Sequence, residues 1–152
     1  MKKTALKKKS KNPVIKLKYK LVEISHTHVR KRDSVSDEKI GGYCFDCKYY
    51  IEGQQFQAGH WIPDSKGVIT RYHPHNMHGQ AGKCNCAYQQ EFVKINYTFA
   101  MQKKYGIKYC KKLKEMSEKT IRVNVLFYTK MIELYEIGDE QEIIKYLESL
   151  II

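Results

Sequence analysis

Cysteine, histidine and asparagine gather between positions 44 and 86, in a stretch rich in turn residues. Cys44 and Cys47 form a Cys-x-x-Cys pair, and Cys84 and Cys86 supply two more thiols downstream. Structural zinc takes four donors in tetrahedral geometry, and two thiolates across a tight turn provide half of them. The sequence therefore predicts a structural zinc site built from these four cysteines.

The fourth ligand of this zinc site stays open. A paired knuckle would repeat Cys-x-x-Cys, but the residue three positions before Cys84 is Ala81. Cys86 lies only two residues beyond Cys84, which is poor spacing for chelation from the start of a helix. Cys86, His78 and a water molecule are the alternatives for the fourth position. A region that has lost its metal and is held by packing alone is a further alternative.

His60 is the residue best suited to acid–base chemistry. It comes at the end of a predicted strand, where a hairpin could hold it rigidly, and the pKa of histidine lies near neutrality. Phosphodiester hydrolysis needs such a base, a cation on the phosphate and a group that stabilises the leaving oxygen. Arg71 and His78 are candidate phosphate contacts. A purely structural role for His60 is the alternative.

A resemblance rests on several motifs in order. They are Cys44 with Cys47, Ala58-Gly59-His60, Asn76-Met77-His78-Gly79-Gln80, Cys84-Asn85 and Tyr105-Gly106. Over roughly residues 43–106 the chain resembles the HNH nucleases, also called His-Me finger or ββα-metal nucleases. More specifically, it is similar to the NinG/Rap family of phage recombination endonucleases. Ala81 departs from the family pattern, which has a cysteine there.

The resemblance implies a role for each matching residue. His60 would activate water, and Asn85 would give an oxygen ligand to a catalytic Mg²⁺ or Mn²⁺ ion. Asn76 would brace the loop and orient the base. Many HNH enzymes carry an aspartate just before the histidine as a second metal ligand, but this chain has Gly59. Substrate phosphate, water or another donor such as Gln57 would then complete the ion's shell.

The charge of the chain favours an anionic partner. The 152 residues include 28 Lys and Arg against 16 Asp and Glu, a net charge of +12. Residues 1–20 are a lysine-rich arm, predicted to be flexible, whose Lys7, Lys8 and Lys9 could contact phosphates. Five cysteines, no secretory signal and no membrane-spanning run predict a cytoplasmic protein, in the host cytoplasm if it is phage-encoded.

The elements that must position these residues predict an α+β fold. Residues 21–42 are a linker or a short ordered segment, and His26 and His28 could lie on one face of a strand. Residues 43–106 form the zinc-knuckled ββα-metal (HNH) core. Within it a helix from about Lys83 carries an apolar pattern, which consists of Phe92, Ile95, Phe99 and Met101. Residues 107–152 are a C-terminal helical region, with Asp139 capping its last helix.

The sequence thus predicts a metal-dependent DNA endonuclease, and the resemblance implies branched recombination or replication DNA as substrate. A non-catalytic, zinc-containing DNA-binding module is the alternative. A third interpretation is a structural zinc protein that binds an acidic protein partner. A homodimer could form through the C-terminal segment EQEIIKYLESLII, although packing on its own core is favoured.

Overall fold

The computed structural model describes residues 12–87 and 90–151. In these ranges the chain forms a mixed α+β structure with seven α-helices and two small sheets, which confirms the predicted fold class at that level. The elements in chain order are α1 (Pro13–Arg32), β1 (Gly41–Tyr43), β2 (Tyr50–Glu52), β3 (Phe56–His60), α2 (Val68–Arg71), β4 (Met77–Ala81), α3 (Gly82–Cys86), α4 (Glu91–Tyr105), α5 (Ile107–Ser117), α6 (Val125–Ile137) and α7 (Glu140–Ser149).

Helix α1 begins inside the segment predicted to be a flexible arm. Asn12 caps it, since its side chain accepts from the Val14 N–H at 2.9 Å, and Pro13 occupies the first turn. Leu21, Ser25 and Val29, spaced by four, are buried against the rest of the molecule. The prediction of a flexible arm is wrong for residues 13–20, because this part is helical and Val14 and Leu17, which are partly buried, continue the packed face toward its start.

Residues 21–32 continue the same helix, so of the two alternatives for this segment the ordered one fits and the linker does not. His26 and His28 lie on this helix and not on a strand. The lysines of the predicted arm at positions 7, 8 and 9 lie outside the described residues.

Two antiparallel hairpins carry the cysteine- and histidine-rich segment. Strands β1 and β2 pair with Gly42 opposite Ile51, and the Cys44–Cys47 turn connects them. Strands β3 and β4 pair with His60 opposite Met77 and Phe56 opposite Ala81, and α3 follows β4 directly. The long connection between β3 and β4 contains α2 and a 3-10 turn, Pro74–Asn76.

The C-terminal helices pack with α1 around the main apolar core. The predicted cap residue Asp139 is confirmed, since it accepts from the Gln141 and Glu142 N–H groups, and Gly106 ends α4 with φ 85°. Helix α6 begins only at Val125, so the helical prediction for residues 118–124 is wrong. The apolar side chains of α7, Ile143, Ile144 and Leu147, are buried within the chain's own core.

Helix α4 buries Met101 of the predicted apolar pattern, but the rest of its buried face differs from the predicted one. Val93, Tyr97 and Met101 are buried, whereas Phe92, Ile95 and Phe99 are exposed. The hydroxyl of Tyr97 donates to the Gly59 carbonyl oxygen at 2.8 Å. This bond ties the Tyr97 face to β3 and turns the second apolar stripe of the helix outward.

Candidate active site and metal centre

Three of the predicted zinc ligands come together. The sulfur atoms of Cys44, Cys47 and Cys84 all lie within 4.8 Å of one another. The turn after β1 brings Cys44 and Cys47 close, and the β4–α3 junction presents Cys84 to them. Three thiols this close could hold a metal ion such as zinc, because thiolates are its preferred donors in structural sites.

The surroundings of the thiols favour a bound cation. Burial, with the neighbouring thiols, raises the pKa of Cys84 to about 12, and burial also raises the pKa of Cys44. Burial opposes ionisation of Cys47 as well, but hydrogen bonds from Tyr49, Cys44 and Cys84 outweigh it and lower its pKa. Crowded thiolates repel one another unless a cation neutralises them, so the donor set fits zinc.

Ala81 occupies the place at the cluster where a fourth donor would be expected. It is buried against Cys44 and Cys84, and its N–H donates to the Cys44 sulfur at 3.2 Å. Cys86 is exposed and is not among the three clustered thiols, so the structure does not support its prediction as a zinc ligand. Cys86 lies on the short helix α3 with Cys84, and two positions along a helix point to different faces.

His78 is also removed from the metal centre and from the surface. It is fully buried, and its ring stacks on Phe45 with centroids 3.9 Å apart. The Arg32 guanidinium donates to His78 Nδ1 at 3.0 Å, so the proton of the neutral ring lies on Nε2, which is 3.3 Å from the Tyr105 hydroxyl. The prediction that His78 contacts phosphate is wrong because the side chain has no access to solvent.

His60 lies where the sequence places it, as the last residue of β3. Its Nε2 atom is 2.9 Å from the backbone carbonyl oxygen of Arg71. A carbonyl oxygen can only accept, so Nε2 carries the proton and Nδ1 keeps its lone pair. Burial lowers the pKa of His60 below its ordinary value, which keeps the ring neutral near pH 7.

Asn76 braces the loop that follows His60. It is fully buried, and its Oδ1 accepts from the Ile62 N–H at 2.8 Å. Its Nδ2 donates to the carbonyl oxygens of Ile62 and Thr70, each at 2.9 Å. One amide side chain therefore joins Ile62, two residues after His60, to Thr70, which directly precedes the residue whose carbonyl orients His60.

Asn85 lies on α3 beside Gln57 of β3. Its Nδ2 donates to Gln57 Oε1 at 3.0 Å. Both residues line a cavity of about 340 Å³, whose other walls include His26 and Arg30 of α1. Asn85 Oδ1 and Gln57 Oε1 are oxygen donors of the kind that hard cations prefer, and neither residue is a carboxylate.

Helix α1 connects His60 to the cavity that contains Asn85. The His26 ring meets the His60 ring edge to face, with centroids 5.7 Å apart, and His26 also lines the cavity with Asn85. Burial, followed by the neighbouring His60, lowers the pKa of His26 to about 4. The cavity is thus lined by one neutral imidazole, His26, and by the Gln57 and Asn85 amides, and His60 lies against the His26 ring.

Gly59 leaves no room for the aspartate that many HNH enzymes have at this position. A β-carbon there would lie 1.8 Å from Gln80 Oε1. Gln80 is fully buried, and its amide donates to the carboxylate of Asp46. The space beside His60 on this face of the sheet is therefore filled by Gln80.

Three residues that lie near His60 were not predicted to belong to the site. His26 and Arg30 belong to α1, which the lysine-rich composition concealed, and Asp64 interacts electrostatically with both histidines. Arg30 joins α1 to β3, donating to the carbonyl oxygens of Phe56 and Gly53 at 2.7 Å each. A helical spacing of four between His26 and Arg30 is the signal that could have shown a shared face.

Arg71, predicted to contact phosphate, contributes mainly through its backbone. Its Nε donates to the Asp64 carbonyl oxygen at 2.9 Å, and its own carbonyl holds His60. The side chain is half-buried at the edge of the loop. Phosphate binding by Arg71 stays a prediction.

The chain matches, over residues 1–142, the family model described as NinG, Bacteriophage Lambda NinG protein. The chain belongs to the NinG family. The NinG match spans the three-thiol cluster, His60, Asn76 and Asn85, and it reaches into α7. Membership of the NinG family suggests a phage role related to recombination. No curated protein and no solved structure matches the chain.

The match also covers α1 and the helices α4, α5 and α6, and it ends at residue 142 within α7. The family match therefore includes these helices as well as the candidate site. Among the described residues, no helix is both long and apolar enough to cross a membrane.

Proposed function

We propose that the protein is a metal-dependent DNA endonuclease of the HNH type that acts on branched recombination or replication DNA. The observation that carries this proposal is the His60 Nε2 contact with the Arg71 carbonyl oxygen at 2.9 Å. It orients the ring through one backbone contact and leaves Nδ1 as a proton acceptor. The preference for branched DNA rests on family resemblance.

His60 would act as general base, taking a proton at Nδ1 from the water that attacks the phosphorus atom. Its lowered pKa keeps it unprotonated near neutral pH. Asn76 has a positioning role, since it holds the loop that supplies the Arg71 carbonyl. The element order β3, β4, α3 and the contact of Asn85 with Gln57 of β3 support the proposal of a ββα arrangement.

Asn85 and Gln57 would hold the catalytic cation. Such an ion, when bound, neutralises charge on the scissile phosphate and the leaving oxygen. Both donors are neutral amides, so a carboxylate is missing from the set that Mg²⁺ usually meets. DNA phosphate oxygens and water would complete the shell, and Arg30 at the cavity wall adds positive charge for the phosphate.

A zinc-containing DNA-binding module without catalysis is the second candidate. The observation that favours it is the filled space at Gly59, where Gln80 stands in place of a metal-binding carboxylate. A protein that only binds DNA has no need for a neutral imidazole beside an amide cavity.

Cleavage of labelled four-way, forked and linear DNA, with Mg²⁺ or Mn²⁺, tests the proposal. His60→Ala and Asn85→Ala should each lower the cleavage rate by about 10²-fold or more, because each removes a group that acts in the transition state. His75→Ala is the control, since His75 contacts Tyr109 and does not line the cavity. Circular dichroism and zinc content verify the fold of each variant.

Metal-dependent cutting that disappears in both site variants would establish the nuclease, and the substrate ranking would test the preference for branched DNA. Binding without cutting, equal in wild type and His60→Ala, would overturn the nuclease and favour the binding module.

A further inference from the structure

Helix α4 presents an apolar stripe to solvent. Phe92, Ile95 and Phe99 occur at spacings of three and four and are 62%, 46% and 65% exposed. Residues at such spacings lie on one face of a helix. A contiguous stripe of large exposed side chains is a common mark of a binding surface. The stripe plays no part in the site around His60.

A groove runs beside this stripe, with a volume of about 770 Å³. One wall is the segment 45–48, and the other is the exposed side of α4 from Asn96 to Lys104. We call this the α4 groove. It contains two aromatic rings, Phe45 and Phe99, and three lysines, which are Lys48, Lys103 and Lys104. Its one acidic residue, Asp46, is engaged by the Gln80 amide.

Two lysines of the α4 groove lie close to the ring of Phe45. Lys48 Nζ lies 4.9 Å from the centre of the Phe45 ring, and Lys104 Nζ lies 5.7 Å from it. The far side of the Phe45 ring stacks on the buried His78, and the Phe45 N–H donates to the Gly79 carbonyl oxygen at 2.9 Å. The wall is therefore fixed before any ligand arrives.

We propose that the α4 groove binds an unpaired strand of the DNA substrate. Phosphates would lie against Lys48, Lys103 and Lys104, and a base would stack on the exposed ring of Phe99. Grooves that combine cations with aromatic rings bind single strands without sequence preference, because every base has a π face. The choice of DNA as the partner rests on the proposed function. The groove would add to that function a binding site for single-stranded arms or gaps in the DNA.

Charge complementarity favours a nucleic acid over a second copy of the chain. A two-fold interface through α4 would bring the same patch from each copy together. Lys94, Lys103 and Lys104 are all exposed on α4, whereas Glu91 is the single acidic residue of this helix. Self-association would therefore place lysines against lysines, while a phosphate backbone neutralises them.

Binding of fluorophore-labelled single-stranded oligo(dT) to the full chain, measured by anisotropy, tests the α4 groove. Phe99→Ala should weaken binding about tenfold, in the range expected for loss of one stacked base. Phe99→Trp should retain the affinity, because tryptophan also stacks. Leu126→Ala is the matched control, since Leu126 is 76% exposed on α6. Lys103→Ala should lower the slope of log K against log salt by about 1.

Unchanged oligo(dT) binding in Phe99→Ala would overturn the proposal. If Phe99→Ala also has a smaller sedimentation coefficient than the wild type, the stripe is assigned to self-association. The nuclease is judged separately, by cleavage in His60→Ala. Lost cleavage in His60→Ala with Phe99-independent binding refutes only the groove, and Phe99-dependent binding without cleavage refutes only the nuclease.

Discussion

Gly59 shows at the scale of single residues how tightly the strand of His60 is packed. The Gln80 side chain fills the space that a side chain at position 59 would need. Its Oε1 atom would lie 1.8 Å from a β-carbon there. Gln80 has little freedom to move, because it is fully buried and bonded to Asp46. The glycine before the candidate base is therefore required by packing and not by backbone conformation.

Gly59→Ala should lower the free energy of unfolding by about 1–3 kcal/mol, the usual cost of overpacking a buried site. Urea denaturation measures this change. The double variant with Gln80→Ala removes the atoms that clash, so Gly59→Ala should cost much less in that background. An equal cost in both backgrounds would show that Gln80 is not the source of the strain.

The type and strand position of His60 could be predicted from sequence, but its protonation could not. Its partner is the backbone carbonyl of Arg71, an atom that every residue has and that no pattern marks. Prediction failed for His78 for a related reason. A histidine in a turn-rich segment looks exposed, and only the fold shows that Phe45 and Arg32 enclose it.

At the scale of elements, the two hairpins form the candidate metal centre jointly. The Cys44–Cys47 turn supplies two thiols, and the end of β4 aligns Cys84 with them through Ala81. Neither hairpin has enough donors alone. Metal binding should therefore stabilise the contact between the hairpins as well as each turn.

Ala81→Cys should complete a four-thiolate set and raise the affinity for zinc by at least about tenfold. The reason is that structural zinc is almost always held by four protein ligands, and the Ala81 methyl group already packs among the thiols. Competition with a chromogenic chelator measures the affinity. Bound zinc should also raise the melting temperature of the variant more than that of the wild type.

Cys86→Ser is the negative control for the zinc experiment, and Cys47→Ser is the positive control. Cys86 lies outside the cluster, so its loss should leave zinc affinity unchanged, whereas loss of Cys47 should reduce it strongly. A large effect of Cys86→Ser would contradict the three-thiol assignment and restore Cys86 as a ligand.

Helices α1 and α4 show why element prediction succeeded only in part. The lysine content of residues 13–20 predicts repulsion, yet Leu21 and Val29 anchor the whole helix through tertiary contacts that local sequence does not reveal. In α4 two apolar stripes of similar strength compete. The Tyr97 bond to β3, formed across 38 residues, decides which one is buried.

At the scale of the whole molecule, a charged network joins the N-terminal helix to the C-terminal helices. Arg32, at the end of α1, donates to Glu140 at 2.9 Å and to the carbonyl oxygens of Pro74 and Met77. Glu140 begins α7 and also bonds His28 at 2.9 Å. This network attaches the C-terminal region to the start of β4, which helps to explain why the family match covers nearly the entire chain.

Glu140→Ala should lower the free energy of unfolding by about 3 kcal/mol, because it leaves the Arg32 guanidinium partly buried with one partner fewer. Glu136→Ala is the matched control. Glu136 also pairs with α1, through Lys20 at 3.1 Å, but both side chains of that pair are more than half exposed. Exposed pairs contribute about 0–1 kcal/mol, so this variant should be close to wild type. Urea denaturation at pH 7 compares the two.

Acid titration separates loss of charge from loss of packing at Glu140. Burial opposes ionisation of this carboxyl, but the His28 hydrogen bond and the Arg32 charge outweigh it and lower its pKa to about 2 from an ordinary 4.5. The stabilisation is therefore present above pH 4.5 and is lost as the pH falls toward 2. Glu140→Ala should show a shallower loss of stability across that window than the wild type, by up to about 1.4 kcal/mol per pH unit. Parallel profiles would mean that the carboxylate contributes through packing alone.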